Sequence, residues 1–250
     1  MSETTAAEEA PRVAAALCAI LLPVYERIER VAATVAATPA PPGEWTESDL
    51  APVQERIVAS IVEDDALVGM GFVPAPLVIA GQERAMMWWQ RNDGRTTRLR
   101  LNFDRSSIDV YDYVEMEWFQ QPAAGRARVA MGPYVDYSGS ELYIVTTAVP
   151  VLVDGRFVGV TGADLLFGEL ERRLVDALRK EPFEAVIVNA ERRVIAANSP
   201  RWVLGTRLAA APEVGRAEGG VVYAAVEPLL PGMGWVLGLV VAEEGAKNLG

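Results

Sequence analysis

The segment from Tyr111 to Asp164 decides the fold of this chain. It contains YDYVEMEWFQQP at residues 111–122, GPYVDYSGSELYIVTTAVPV at 132–151 and DGRFVGVTGADL at 154–165. Two apolar strands separated by an Asp-Gly turn predict a β-hairpin. The aromatic and acidic side chains are more polar than a buried core requires, and they recur where strands meet loops. Such a cluster is typical of a small pocket for a cationic ligand.

The composition indicates a globular protein and excludes several classes of function. The 250 residues are 51% hydrophobic and 23% charged, which allows one large domain or two modules with real cores. The net charge of −11 argues against a nucleic-acid-binding face and favours a cationic ligand. The absence of histidine removes Ser-His-Asp and Cys-His catalysis and His-ligated metal sites. We expect no enzyme activity, no cofactor and no metal site.

The sequence indicates neither a membrane span nor an oxidising compartment. The longest early apolar run, Val13 to Val24, is about twelve residues and too short to cross a bilayer. The preceding residues 1–10 are acidic, whereas a secretory signal begins with positive charge. The single cysteine, Cys18, cannot form an internal disulfide and is predicted to be a small buried residue. We therefore expect a cytoplasmic protein without membrane insertion.

Residues 12–37 are predicted to form one long helix, which belongs to an N-terminal segment of residues 10–43. Six apolar residues at intervals of four and three share one face: Leu17, Leu21, Val24, Ile28, Val31 and Val35. The segment TPAPPG at 38–43 ends the helix as a stiff linker. The apolar face can pack against the chain's own domain or mediate a homodimer, and the sequence leaves both arrangements open.

The remainder of the chain predicts two antiparallel α+β modules, at residues 44–180 and 181–245. In the first module we expect a helix over 49–62, with Asp49 as a possible N-cap. A helix from 167 to 180 ends this module. Its strands are predicted at 66–72, 77–80, 83–91, 97–103, 142–153 and 157–165, with a hairpin turn at Asn92 to Gly94. The second module has predicted strands at 185–189, 192–198, 219–229 and 235–242.

Three blocks of this sequence resemble the double Cache family of extracytoplasmic sensors. The blocks are YxxMEWFxxP around Trp118, GPYVD at 132–136 and VPVxxDGRFVGVTGADL at 149–165. The resemblance covers about residues 10–243. It implies an α+β fold with a long N-terminal helix followed by two PAS-like antiparallel-sheet modules, of which the first binds the ligand.

The resemblance also implies a set of ligand-binding residues. In amino-acid-sensing members, aromatic and acidic residues hold the ligand's amino group, whereas an arginine and a tryptophan hold its carboxylate. The positions that match are Tyr111, Trp118, Tyr134, Asp136 and Asp164. Phe119 replaces the usual tyrosine and Met116 replaces the usual arginine, which is the residue that binds a carboxylate through two parallel hydrogen bonds. Tyr113 is a further candidate ligand-binding residue.

Each of these residues also has a structural interpretation. Asp164 can be the N-cap of a helix that starts at Leu165, and Asp136 can shape a turn with Ser138 and Gly139. Trp118 and Tyr134 can be core aromatics. Arg91 can replace the missing carboxylate donor or be a solvated residue at a strand end. Glu115 and Glu117 can be surface charges or hold the far amine of a diamine.

We expect from these observations a soluble sensor protein that binds an organic amine in its first module. The ligand would be a polyamine, a biogenic amine or a quaternary amine, and the signal would pass to an unknown regulatory partner. Three other functions fit the sequence: an amino-acid sensor with a different carboxylate donor, an enzyme using Asp136 and Asp164 as acid and base, and a ligand-free dimeric scaffold.

Overall fold

The hairpin predicted around the Asp-Gly turn is present in the structure. In this computed structural model, which describes residues 3–92, 94–218 and 220–240, Tyr143–Val153 and Arg156–Leu166 pair antiparallel. The two turn residues, Asp154 and Gly155, have φ angles of 51° and 76°. Positive φ at both positions matches the twist of the flanking strands, and glycine adopts it without a steric penalty.

The described ranges contain four α-helices and eleven strands. The helices are α1 (Glu3–Ala36), α2 (Ala51–Ile61), α3 (Glu117–Ala123) and α4 (Phe167–Leu178). The first six strands are β1 (Leu67–Pro74), β2 (Met87–Asn92), β3 (Arg95–Arg98), β4 (Val129–Val135), β5 (Tyr143–Val153) and β6 (Arg156–Leu166). The last five are β7 (Glu184–Val188), β8 (Val194–Ala197), β9 (Ala217–Glu218), β10 (Val221–Leu229) and β11 (Trp235–Val240).

These strands form two antiparallel sheets. In the described part of the chain, one sheet has the order β3-β2-β1-β6-β5-β4 and the other β8-β7-β11-β10-β9. The chain divides into two compact units, one of residues 23–170 and one of residues 1–22 with 171–250. A long N-terminal helix and two antiparallel-sheet modules are the fold class expected from the sequence, so that prediction is confirmed.

The apolar stripe of α1 is buried along its whole length, as its spacing predicts. Leu17, Leu21, Val24, Ile28, Val31 and Val35 are each at most 3% exposed. Within the unit of residues 23–170, Tyr25 donates a hydrogen bond to the carbonyl of Val129 at 2.9 Å, and Thr161 Oγ1 donates to the carbonyl of Ile28 at 3.0 Å. The second half of α1 is therefore part of this unit's core. No helix in the described ranges has an apolar stretch that could span a bilayer.

Several local predictions about α1 and the start of the first module are wrong. Helix α2 begins at Ala51 after Leu50, and Asp49 is not its cap, because its Oδ2 accepts hydrogen bonds from Thr46 N and Oγ1. Residues 77–80 form no regular strand. Leu77 has a positive φ of 63°, and Ile79 makes a single parallel bridge with Trp45. Cys18, predicted to be buried, is only half-buried.

Other predicted strands are shorter than expected, and two strands were not predicted. The strand predicted at 83–91 corresponds to β2, which begins only at Met87. The strand predicted at 97–103 corresponds to β3, which already ends at Arg98. The turn residue Asp93 and residues 241–245 lie outside the described residues. Strand β4 was missed because Gly132 and Pro133 interrupt its pattern, and β9 was missed because it is two residues long.

Candidate functional site

A row of five residues crosses the first sheet from β2 to β4. Register pairing joins Gln90, Gly69, Asp164, Thr146 and Met131 in that order. Directly paired residues project from the same face of a sheet. Gly69 has no side chain, and a Cβ atom there would lie 3.0 Å from Asp164 Oδ2 and 2.7 Å from Trp88 Nε1. This glycine therefore makes room for the Trp88 indole beside the Asp164 carboxylate.

Asp164 is held by a short chain of hydroxyl groups. Thr146 Oγ1 donates a hydrogen bond to Asp164 Oδ1 at 2.7 Å. Because the threonine hydroxyl has a single proton, the 2.6 Å hydrogen bond between Tyr134 and Thr146 is donated by the tyrosine. Among the described residues, none donates a hydrogen bond to the second oxygen, Asp164 Oδ2. One acceptor of this buried carboxylate is therefore fixed and the other is available.

Burial disfavours the charged form of Asp164. The side chain is 5% exposed and lies within strand β6. Burial raises the pKa of Asp164 to about 7, the Thr146 hydrogen bond opposes this shift, and the negative charge of Asp136 adds to it. A carboxylate in such a place is stabilised by a cation that approaches its free oxygen.

The available oxygen belongs to a small, largely aromatic cavity, which we call the inner cavity. It leaves about 30 Å³ for the centres of water-sized molecules. Its polar and aromatic walls come from Trp88, Tyr111, Trp118, Tyr134, Asp136, Ser138, Gly139, Thr146 and Asp164, and its apolar walls from Met86, Leu99 and Leu101. Burial raises the pKa values of Tyr111 and Tyr134, which keeps both phenols neutral.

A second, wider depression adjoins the inner cavity, and we call it the outer cavity. It leaves about 320 Å³ for the centres of water-sized molecules. Tyr111, Trp118, Tyr134, Asp136 and Ser138 line both cavities. The outer cavity adds Met116, Glu117, Met131, Gly132, Val135 and Tyr137. None of the described residues that line either cavity is basic, so both favour positive charge.

Asp136 both lines the cavities and fixes the loop beside them. Its Oδ1 accepts a hydrogen bond from the Gly139 backbone N at 3.1 Å. Its Oδ2 accepts hydrogen bonds from Ser140 N at 2.8 Å and from Ser140 Oγ at 3.2 Å. The turn interpretation of Asp136 and its place in the cavity wall are therefore compatible.

The structure brings most of the predicted site residues together. Tyr111, Trp118, Tyr134, Asp136 and Asp164 line the inner cavity, and Met116 lines the outer cavity. Asp164 is not a helix cap, because α4 begins only at Phe167.

Two of the predicted site residues, Tyr113 and Phe119, lie in the hydrophobic core and line neither cavity. Tyr113 is fully buried, and its hydroxyl donates a hydrogen bond to the carbonyl of Pro74 at 2.9 Å. The ring of Phe119 packs edge-on against Tyr113 and Phe157, with centroid distances of 5.2 and 5.6 Å. Both residues belong to the core against which the cavity-lining residues Tyr111 and Trp118 pack.

The possible substitute for the missing arginine is also engaged elsewhere. Arg91 forms an ion pair with Asp65 at 2.8 Å and donates hydrogen bonds to the carbonyls of Ile61 and Asp64. It lines neither cavity. Glu115 is exposed outside both cavities, whereas Glu117 lines the outer one.

Two residues that shape the site, Gly69 and Thr146, were not predicted from the sequence. Each had a signal, because Gly69 is a glycine within an apolar strand and Thr146 is a hydroxyl residue within another. Their pairing with Asp164 could not be seen before the strand register was known. Trp88 precedes Trp89 in strand β2, and of these two adjacent tryptophans it is Trp88 that lines the inner cavity.

One family of sensor domains matches the part of the chain that holds the cavity. Residues 53–172 match the family described as methyl-accepting chemotaxis protein-like, first PDC sensor domain. No curated protein matches the chain significantly.

Solved structures of bacterial sensor domains are similar over nearly the whole chain. The ligand-binding domain of the amino acid chemoreceptor PctC from Pseudomonas aeruginosa, in complex with GABA, has a TM-score of 0.63 and 16% identity, and the match covers 97% of this chain and 100% of that chain. The ligand-binding domain of the chemoreceptor CtaA from Pseudomonas fluorescens, in complex with L-isoleucine, has a TM-score of 0.60 and 17% identity, and the match covers 96% of this chain and 92% of that chain. The ligand-binding domain of the chemoreceptor Tlp3 from Campylobacter jejuni, in complex with L-valine, has a TM-score of 0.58 and 11% identity, and the match covers 94% of this chain and 92% of that chain.

Proposed function

We propose that this chain, which has the fold of a double Cache-type sensor domain, binds a small organic amine in the inner cavity. The observation that carries this proposal is the buried carboxylate of Asp164, whose Oδ2 has no hydrogen-bond donor among the described residues. The cavity walls supply acids and aromatic rings and no basic residue. An ammonium group is the ligand chemistry that satisfies such a site.

The residues around the cavity have distinct roles in this mechanism. The ligand's ammonium group donates a hydrogen bond to Asp164 Oδ2, while Tyr134 and Thr146 hold Oδ1 in place. The rings of Trp88 and Trp118 line the same space, and an aromatic face contributes about 0.5–2 kcal/mol to binding of a cation. The specificity for a cation comes from neutralisation of the negative charge on the buried Asp164 carboxylate.

A ligand carboxylate finds no matching cation here. The similar chemoreceptor structures hold GABA and L-isoleucine, which carry both an amino group and a carboxylate. In this chain Met116 stands at the usual arginine position, and the guanidinium of Arg91 is bound by Asp65 and two carbonyl groups. A carboxylate placed in the cavity would be desolvated beside Asp136 and Asp164, which is unfavourable. The proposal therefore favours amines over amino acids.

The test compares two ligands that differ at one end. n-Butylamine has a methyl group where GABA has a carboxylate, and calorimetry at pH 8 measures both affinities. We expect the wild-type protein to bind n-butylamine at least tenfold more tightly than GABA. Asp164→Asn should weaken amine binding by about 30-fold or more, because removing a buried counter-charge typically costs about 2–5 kcal/mol.

The control variant is Asp109→Asn, which neutralises an exposed acid outside both cavities. It should bind n-butylamine like the wild-type protein. Tighter binding of GABA than of n-butylamine, or unchanged binding by Asp164→Asn, would contradict the amine assignment. Mass spectrometry of the recovered ligand separates a sensor from a carboxylate-based enzyme, because a sensor returns its ligand unchanged.

Two other expectations stay predictions. A homodimer through α1 is tested by light scattering of the purified protein, and a cytoplasmic location is tested by cell fractionation. The regulatory partner is sought by affinity capture with and without n-butylamine.

A further inference from the structure

We propose that the ligand is an elongated diamine whose second ammonium group lies in the outer cavity beside Glu117. This inference rests on the proposed function, because it assumes that the first ammonium group binds Asp164. Three features of the two cavities lead to it: their relative sizes, the apolar and acidic residues that line them, and the unpaired state of Glu117.

The inner cavity is too small for a whole ligand of ordinary size. About 10–15 Å³ of such space is needed for one water molecule, so its 30 Å³ holds about two groups of that size. An ammonium group and the neighbouring methylene fill it. Tyr111, Trp118 and Tyr134 line both cavities, so the outer cavity, which has about tenfold more space, is the neighbouring space for the rest of the ligand.

The outer cavity is lined by both apolar and acidic side chains. Met116, Met131 and Val135 contribute apolar surface suited to a methylene chain. Asp136 lines both cavities, and Glu117 lines the outer cavity alone. Asp164 lines only the inner cavity and Glu117 only the outer one, and one acid in each of two adjoining cavities matches the charge pattern of an α,ω-diamine. A monoamine would place an uncharged end beside Glu117.

Glu117 is available for such a contact. It is exposed at the start of α3, and none of the described residues forms an ion pair or a side-chain hydrogen bond with it. Its neighbour Glu115 is also exposed, but it lies outside both cavities. The two residues have the same charge and nearly the same place in the chain. Comparing substitutions at the two residues therefore distinguishes a local contact with Glu117 from the effect of the protein's overall negative charge.

The experiment measures the affinity of diamines against monoamines of equal length. Each diamine from 1,3-diaminopropane to 1,6-diaminohexane is compared by calorimetry with the monoamine in which a methyl group replaces one ammonium group. We expect the best diamine to bind about fivefold more tightly than its monoamine at low salt, which is the strength of a good exposed ion pair. Glu117→Gln should reduce this ratio to near one, whereas Glu115→Gln should preserve it.

The outcomes separate this inference from the proposed function. If diamines bind no more tightly than monoamines, the diamine inference is wrong, although Asp164-dependent monoamine binding still supports the amine site. An equal effect of Glu115→Gln and Glu117→Gln also overturns it, because the preference would then come from the overall charge. If no amine binds, the proposed function fails together with this inference.

Discussion

The carboxylate of Asp164 meets two opposing demands at the scale of a single residue. Ligand binding requires it to be ionised, because a neutral carboxyl attracts an ammonium group weakly. Folding favours the neutral form, because burial raises its pKa to about 7. The ligand-free protein is therefore less stable when Asp164 is ionised, which is the state that binds the ligand best. An acid that lowers stability and strengthens binding is typical of a functional site.

This conflict predicts how stability depends on pH. The pKa of Asp164 is raised from an ordinary value of about 3.9, so its stabilising contribution is complete below pH 4 and is lost as pH rises through about 7. Asp164→Asn removes this titration and keeps an oxygen for the Thr146 hydrogen bond. We expect the ligand-free variant to be more stable than the wild-type protein at pH 8 by a few kcal/mol, with the difference disappearing near pH 4.

Chemical denaturation at several pH values measures this difference. The exposed acid variant Asp109→Asn should follow the wild-type curve throughout. Parallel curves for the wild-type protein and Asp164→Asn would show that Asp164 does not titrate in this range. Amine affinity should change in the opposite direction and increase as pH rises from 5.5 to 8, because more of Asp164 is then ionised.

Residue types and spacing identified the acids of the site but could not separate the lining aromatics from the core aromatics. Tyr111 and Tyr113 are two residues apart, and Trp118 and Phe119 are adjacent. In each pair one ring lines the cavity and the other is in the core. That division depends on the orientation of the 3₁₀ turn Tyr113–Glu115 and of α3 against the sheet. Such an orientation is set by tertiary packing and leaves no periodic signal in a short segment.

At the scale of elements, the long helix was predictable because its pattern repeats over many turns. Six apolar residues of α1 at heptad spacing are all buried. Strands were less predictable where turn residues interrupt them. Residues 77–80 contain apolar residues but turn at Leu77, and β4 contains Gly132 and Pro133. A short apolar run does not distinguish a strand from a packed loop, because burial against neighbouring elements decides between them.

The second half of α1 should contribute strongly to the stability of the unit of residues 23–170. Ile28 is fully buried, and its carbonyl accepts the hydrogen bond from Thr161. Ile28→Ala leaves a cavity in the core and should lower the free energy of unfolding by about 2–5 kcal/mol. Urea denaturation measures the change.

Glu26→Ala is the control for this helix, because Glu26 is an exposed residue half a turn away on α1. It should change the free energy of unfolding by less than about 0.5 kcal/mol. Equal stability of Ile28→Ala and the wild-type protein would mean that α1 is not part of the folding unit in solution.

At the scale of the whole molecule, the double Cache-like fold that the resemblance implies is confirmed. The family match covers the first module, and the solved sensor domains share the fold along nearly the whole chain. The motifs around Trp118 and Asp164 carried that recognition from sequence. They did not fix the ligand, because ligand preference depends on a single position, Met116, and on where Arg91 lies in the folded chain.

The two compact units differ in the kind of acid they offer to a ligand. In the unit of residues 1–22 and 171–250, a shallow open depression is lined by Glu181 and Glu184 among other residues. Glu181 forms an ion pair with Arg12, and Glu184 forms one with Arg201. These acids already have a positive partner, whereas Asp164 has none among the described residues. An ammonium group would have to displace an arginine to bind there.

We therefore expect amine binding to be confined to the first module. In a titration with n-butylamine at pH 8, backbone amide chemical shifts should change near Gly69, Ser138 and Asp164, with small or no changes at residues 183–240. Asp164→Asn should abolish the changes in the first module, and Glu184→Gln should leave them intact. Shift changes confined to residues 183–240 would contradict this prediction. In that case the ligand would be replacing Arg201 beside Glu184, and the buried carboxylate of Asp164 would need another explanation.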